Sequence, residues 1–138
     1  MSETGSETPS FADELIDKLT HAHTRCVEKP WGEEVIIEAE GFIIKLITVE
    51  NHHRTSLQHH ERKTEVSVVV RGRGGVRAPL THDDEMHLLG GLDRPSNPVR
   101  INPYEIHRTY GPCTLIEVTT PDDDDIVRHE DDYAREDM

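Results

Sequence analysis

Residues 56–65 read SLQHHERKTE, and the spacing inside this stretch governs how the rest of the chain is read. Successive side chains of a β-strand alternate between faces, so Gln58 and His60 point the same way and present an amide oxygen beside an imidazole nitrogen. Glu65 opens the apolar run VSVVV at 66–70. If that run pairs antiparallel with the strand carrying Gln58 and His60, the hairpin returns the Glu65 carboxylate over the same face. Ser67 and Val69 then lie on one side of the strand and Val66, Val68 and Val70 on the other. His107 comes after Ile101 and Pro103, just before another strand, where it can close the group from a facing strand. Two nitrogen and two oxygen donors suit one divalent ion, Zn, Mn, Fe or Ni, and leave coordination positions for water or substrate. The chain holds 10 histidines, and an HH pair such as His59–His60 is common at surfaces and in cores. Spacing alone therefore leaves a purely structural reading open beside the metal site.

Working outward, the chain from Val35 onward reads as strands. Residues 35–39, 42–49 and 66–70 are rich in β-branched side chains, and 99–101 and 114–119 add shorter runs set off by Gly, Pro or Asn. Short strands with turn signals between them predict an all-β sandwich or barrel over 23–138. Residues 1–9 are Ser, Thr, Glu and Gly with one Pro after Met1, a composition expected to stay disordered. Ser10 can cap a helix, Asp13 falls in its first turn, and Phe11, Leu15, Ile16 and Leu19 have helical spacing. A short amphipathic helix is expected over 11–20, within the unit 10–22. Residues 73–98 read as a hairpin with a long loop, with Met86–Leu89 as the apolar part. The acidic segment 121–137 reads as a solvated face anchored by Ile126, Val127 and Tyr133.

With 15 Lys and Arg against 28 Asp and Glu, the formal charge is -13. That excludes a phosphate-backbone binder, which needs clustered cations, so no nucleic-acid partner is expected. Residues 54–77 run against the trend, with Arg54, Arg62, Lys63, Arg71, Arg73 and Arg77 against Glu61 and Glu65, a charge bias that can steer a small anion. The same residues also read as solvated strand-edge charges. Cys26 and Cys113 form no metal-spacing motif and no disulfide framework, which fits a reduced, cytoplasmic setting. No apolar run is long enough to span a membrane, and the first residues carry neither the basic start nor the apolar stretch of a signal peptide.

The stretches KPWGEE at 29–34, SLQHHERKTE at 56–65, HRTYGP at 107–112, LIEVTTP at 115–121 and DDIVRHEDDYARE at 124–136 together resemble the cupins related to type II mannose-6-phosphate isomerase. The resemblance covers about residues 27–136 and is poor over 73–100. It implies a cupin fold, the double-stranded β-helix or jelly-roll barrel, and it implies metal ligands at Gln58, His60, Glu65 and His107. Gly72 falls where the family turns its hairpin. His59 then points away from the site. Lys45 shares a face with Ile43 and Ile47, and an inward Lys is costly unless it meets an anion or a carboxylate, so it joins the site candidates. Arg62 and Lys63 occupy a loop where the family carries a basic residue, read equally as phosphate-binding or as solvent-exposed. Two departures stand out. The second cupin motif, usually PxGxxH, is NPYEIH at 102–107, and the family's YGR is YAR at 133–135.

The resemblance implies an aldose–ketose isomerase, or a close relative, acting on a phosphorylated or nucleotide-linked sugar. Lys45, Glu65 and His107 are the candidates for moving the proton. Lys45, Arg62, Lys63 and Arg108 are the candidates for holding the anionic substrate. Two other readings remain open: a non-catalytic cupin that binds a sugar or metabolite, and an iron-dependent cupin oxygenase, which the neutral Gln58 amide disfavours. Barrel edge strands leave open hydrogen-bonding groups, and a homodimer is the expected way to cover them.

Overall fold

In the computed structural model, which describes residues 8–78, 98–122 and 124–133, the chain first turns regular at Ser10. Its hydroxyl accepts from the Asp13 backbone N–H at 3.1 Å, and the Asp13 carboxylate accepts in return from the Ser10 N–H at 3.1 Å. This reciprocal box satisfies two donors that a helix start otherwise leaves open. The helix α1 spans Phe11–Thr20 and buries none of its residues, and Phe11 and Ile16 are exposed. Lys18 ties it to Glu40 at 3.2 Å. Among the described residues no helix is long and apolar enough to cross a membrane.

The rest is β-structure: β1 His23–Lys29, β2 Gly32–Ala39, β3 Phe42–Val49, β4 Leu57–His59, β5 Glu65–Gly72, β6 Gly75–Arg77, β7 Val99–Ile101, β8 Arg108–Tyr110, β9 Cys113–Thr119 and β10 Val127–Glu130. Six strands form one sheet in the order β1-β2-β3-β9-β5-β7, while β10 pairs with β4 and β6 with β8. The all-β expectation with one short leading helix is met. Strand boundaries shift outward from the apolar runs, since β2 starts at Gly32 and β5 runs on to Gly72. Two strands fall outside the expected set. HTRCVEK of β1 offers only Cys26 and Val27 as apolar residues, yet it pairs along its whole length with β2. It sits at the sheet edge and is mostly exposed, so it needs no apolar face to persist. β10 lies inside the acidic segment.

The register places side chains in rows across the inner face of the large sheet. Val27, Glu34, Ile47, Leu115 and Val69 form one row, and Arg25, Ile36, Lys45, Glu117 and Ser67 form the next. Apolar rows pack with Trp31, Val49, Val76 and Ile101 into the core. The row containing Lys45 and Glu117 is polar although it is inside. The outer face leaves Leu46, Ile116 and Val118 exposed. The expected hairpin between the Gln58 strand and the Glu65 strand is not formed. β4 pairs with β10, while β5 pairs with β9 and β7.

Part of the tail expected over 1–9, residues 1–7, lies outside the described residues, as do 79–97 with Met86–Leu89, Asp123, and 134–138 with Ala134 and Arg135 of the YAR motif. Within 73–98, Gly75–Arg77 is β6.

Gly72 closes β5 at φ +94°, and a Cβ there would stand 2.4 Å from the Pro112 carbonyl oxygen and 2.8 Å from Cys113 Cα. Both obstacles are backbone and cannot swing aside. Gly72→Ala is expected to cost about 2–3 kcal/mol, read as a lower urea midpoint at unchanged m-value.

Candidate metal centre

β4 and the turn after it carry Gln58 and His60, and β5 brings Glu65 from the large sheet. His107 does not face Gln58 across the barrel. It lies beside it: Gln58 N–H donates to His107 O at 3.0 Å and His107 N–H donates to Gln58 O at 2.8 Å. Glu65 is the residue that closes the group from the opposite side. The His60 Nε2 stands 3.0 Å and the His107 Nε2 3.2 Å from the same oxygen, Glu65 Oε1. Among the described residues, His60, Glu65 and His107 form the one cluster of such side chains close enough to share a metal ion, and all three are buried.

The other nitrogen of each ring explains the aim. His60 Nδ1 meets the Asp125 carbonyl at 2.5 Å and His107 Nδ1 meets the Glu105 carbonyl at 2.9 Å. A carbonyl only accepts, so both Nδ1 atoms donate, and in the neutral imidazole the Nε2 lone pair is left facing Glu65. Three lone pairs directed at one point repel unless protons or a cation stand between them. Backbone carbonyls fixing the outer nitrogen are the usual orienting shell of metal-binding histidines. The donor set therefore fits a divalent ion. Gln58 completes it by chemistry: its Oε1 accepts from Ser56 Oγ at 2.6 Å and its Nε2 faces His107 Nε2 at 3.4 Å. A half-turn of the amide aims the oxygen into the site and leaves the nitrogen donating to Ser56.

His60 is held by its loop. Asp125 is buried, and its carboxylate accepts from the backbone N–H groups of Glu61 at 3.1 Å, Arg62 at 2.6 Å and Lys63 at 2.8 Å. Tyr104 occupies the place of the missing glycine in NPYEIH and adopts φ +68°. Its N–H donates to His60 O at 2.6 Å, and its ring stacks on His59 at 5.5 Å. His59 itself meets His129 at 2.7 Å and does not line the cavity.

That cavity has a volume of about 170 Å³ and is lined in part by the three clustered residues. Lys45 and Lys63 line it, and both are buried. Lys45 Nζ lies 3.7 Å from Glu34 Oε1, the carboxylate that an inward Lys requires. Arg62 and Arg108 are placed elsewhere. Arg62 is exposed, 3.6 Å from Asp122. Arg108 is buried and clamps the last strand, donating to Glu130 Oε1 at 2.7 Å and to Thr55 O at 2.8 Å.

Several cavity residues went unassigned from sequence: Arg25, Lys29, Glu34, Glu117 and Arg128. Glu117 is hydrogen-bonded to Glu65. Burial first, then the charge of Glu65 and the bond to it, raise its carboxyl well above the ordinary range. Burial also pushes Glu65 up, but the bond from Glu117, the bonds His107 and His60 give when a proton sits on Nε2, and the charge of Lys63 outweigh it and hold Glu65 well below its usual value. In LIEVTT the Ile116 and Val118 phase is the more apolar yet faces outward, so alternation alone would have turned Glu117 away from the interior. Lys29, Glu34 and Arg128 stand inside the quoted KPWGEE and DDIVR motifs, and there the signal was present.

Residues 16–131 match the family model for the mannose-6-phosphate isomerase C-terminal region. Mannose-1-phosphate guanylyltransferase ManC of Salmonella typhimurium is 36% identical over 124 residues, covering 83% of this chain and 24% of the relative. The xanthan biosynthesis protein XanB of Xanthomonas campestris is 35% identical over 121 residues, covering 80% and 24%. The chain thus spans about a quarter of the length of these relatives. Among solved structures, Rru_A2000 of Rhodospirillum rubrum, a cupin-2 domain, superposes with a TM-score of 0.55 at 10% identity, covering 73% of this chain and 70% of the other.

Asp125→Ala leaves three N–H groups without their acceptor and is expected to cost about 2–4 kcal/mol in urea unfolding. It should also weaken metal binding about tenfold or more by loosening His60. Burial pushes the Asp125 carboxyl up, but the backbone bonds of Arg62, Glu61 and Lys63 and the Arg62 charge hold it below its ordinary value. A depressed carboxyl stabilises above its unfolded value, about 4, and that contribution fades as pH falls through the folded value. The stability gap between wild type and variant should therefore narrow below about pH 4.

Proposed function

The chain belongs to the mannose-6-phosphate isomerase C-terminal family of cupins, and from that premise we propose that it is a metal-dependent isomerase interconverting the aldose and ketose forms of a phosphorylated sugar. The observation that carries this reading is the convergence of His60, Glu65 and His107 in the wall of a cavity that Lys45 and Lys63 also line. Gln58, His60, Glu65 and His107 would hold one divalent ion. When bound, such an ion supplies Lewis acidity to the carbonyl and hydroxyl oxygens of an open-chain sugar.

The reaction moves one proton from C2 to C1 and one between the two oxygens, with no net change in composition. It needs a proton acceptor and a donor beside the sugar carbons. Glu65 and His107 direct their lone pairs at the ion site, which leaves Lys45 as the candidate outside the donor set. With Glu34 at 3.7 Å it forms a donor and acceptor in one wall. The ammonium groups of Lys45 and Lys63 also favour the negative charge that builds on the sugar oxygens, in a buried setting where water screens little.

The described residues enclose about 170 Å³, below the roughly 300–1,000 Å³ of pockets that enclose drug-sized ligands. The guanylyltransferase of the ManC name belongs to that longer protein.

Chelation should abolish interconversion of mannose 6-phosphate and fructose 6-phosphate, and added metal should restore it. Undiminished turnover in metal-free protein, checked by elemental analysis, would sink the mechanism. Lys45→Met is expected to lower kcat about 100-fold or more with metal content unchanged, and a wild-type kcat in that variant would remove Lys45 from the chemistry.

A further inference from the structure

In a chain of net charge -13, five of the 15 Lys and Arg line one cavity: Arg25, Lys29, Lys45, Lys63 and Arg128. Three carboxylates share the wall, Glu34, Glu65 and Glu117. The cations therefore exceed the carboxylates by two before any metal is counted. A cavity that concentrates one sign of charge against the trend of the whole molecule focuses its field on a ligand of the other sign.

The five cations are not equivalent. Lys45 is buried against Glu34, and Lys63 is buried where its charge acts on Glu65 and Glu117. These two offset the carboxylates around the ion site. Arg25 and Lys29 stand apart from that cluster, and Arg128 borders it beside Gln58. Arg25 and Lys29 lie on β1, at the far edge of the large sheet, with β2, β3 and β9 between them and Glu65 on β5. Arg25 shares the polar row that crosses the sheet through Lys45 and Glu117 to Ser67. Arg128 comes from the other sheet, in cross-strand register with Gln58, so its side chain leaves β10 on the face that Gln58 uses.

We propose that Arg25 and Arg128, reaching in from two sheets with Lys29 beside them, form the subsite for the phosphoryl group of the substrate. Guanidinium forks match the paired oxygens of a phosphate, which an ammonium meets only as a point charge. The Arg25 side chain is 50% exposed and bonded to Glu38 at 3.1 Å. A surface pair of this kind is worth little, about 0–1 kcal/mol, so a phosphate dianion can displace the carboxylate cheaply. The sugar then extends from the arginines toward His60, Glu65 and His107, with its reacting end at the ion site. The identity of the ligand rests on the sugar-phosphate reading above. The presence of an anion subsite rests only on the cavity.

Titration calorimetry with mannose 6-phosphate and with inorganic phosphate tests the subsite, and Trp31, the single tryptophan and a cavity-lining residue, gives a second readout by fluorescence. Wild type and Arg62→Gln should bind both probes, in chelated as well as metal-loaded protein, and neutral mannose should not compete with phosphate. Arg25→Gln and Arg128→Gln should each bind about tenfold more weakly or worse, with Arg128→Lys intermediate and available if the glutamine variant unfolds. Wild-type affinity in the Arg25 and Arg128 variants, absence of phosphate binding, or phosphate binding that disappears on chelation alone would each overturn the subsite. Turnover that is unaffected in Arg25→Gln and Arg128→Gln would sink the subsite and leave the isomerase standing. Arginine-dependent phosphate binding without turnover of any sugar phosphate would do the reverse.

Discussion

Three acceptors pointed at one place are an unstable arrangement, and much of this fold exists to impose it. His60 Nε2 and His107 Nε2 each lie within 3.2 Å of Glu65 Oε1, and all three side chains are buried from the solvent that would otherwise relax them. Each is pinned from behind. The Asp125 carbonyl fixes one ring, the Glu105 carbonyl fixes the other, and Glu117 bonds to the carboxylate. Left to themselves the three groups would turn away from one another. Held in place, they could hold a cation, and one bound there would be spared the cost of assembling its partners.

The same economy governs the charges around them. Buried Glu65, Glu117 and Glu34 would each carry a heavy desolvation penalty alone. Lys45 and Lys63 meet that penalty from within the cavity, and Glu117 meets it by sharing a hydrogen bond with Glu65. Outside the cavity, cations do a different task. Arg54 forks onto Asp132 at 2.7 and 2.9 Å, and Arg108 holds Glu130, so that the acidic segment is tied back onto the barrel. That tether carries Asp125 and Arg128 with it. The acidic run is therefore part of the scaffold that orients His60, and its charge is not merely solvated.

How much of this was legible depends on which signal a residue sends. The shared face of Gln58 and His60, which both line the cavity where His60, Glu65 and His107 meet, was readable from strand alternation. The pairing of strands was not, because hydrophobic runs say which residues pair but not with whom. β4 pairs with β10, a strand of only four residues within an acidic segment, and no local pattern announces it. Likewise Arg62 and Arg108 look alike as cations in sequence. Only the register separates Arg108, buried under β10, from Arg128, which faces the cavity. β1 escaped for a related reason: an edge strand may be charged along its length, since half of its hydrogen bonds and most of its side chains answer to water.

Tyr104 shows how far the site tolerates local cost. A tyrosine at φ +68° gives up about 1–2 kcal/mol relative to a right-handed conformation, and glycine at that turn would avoid it. Yet glycine has no ring to stack on His59, and it would loosen the segment whose next residues, Glu105 and His107, supply a carbonyl and a candidate ligand. The bond from Tyr104 N–H to His60 O joins the two histidine-bearing segments directly. A turn strained on one side and anchored on the other has a single comfortable position, and that rigidity is what a ligand cluster of mutually repelling groups requires. The departure from the family's glycine is thus compatible with a metal site, because the geometry that glycine would permit is here enforced by packing.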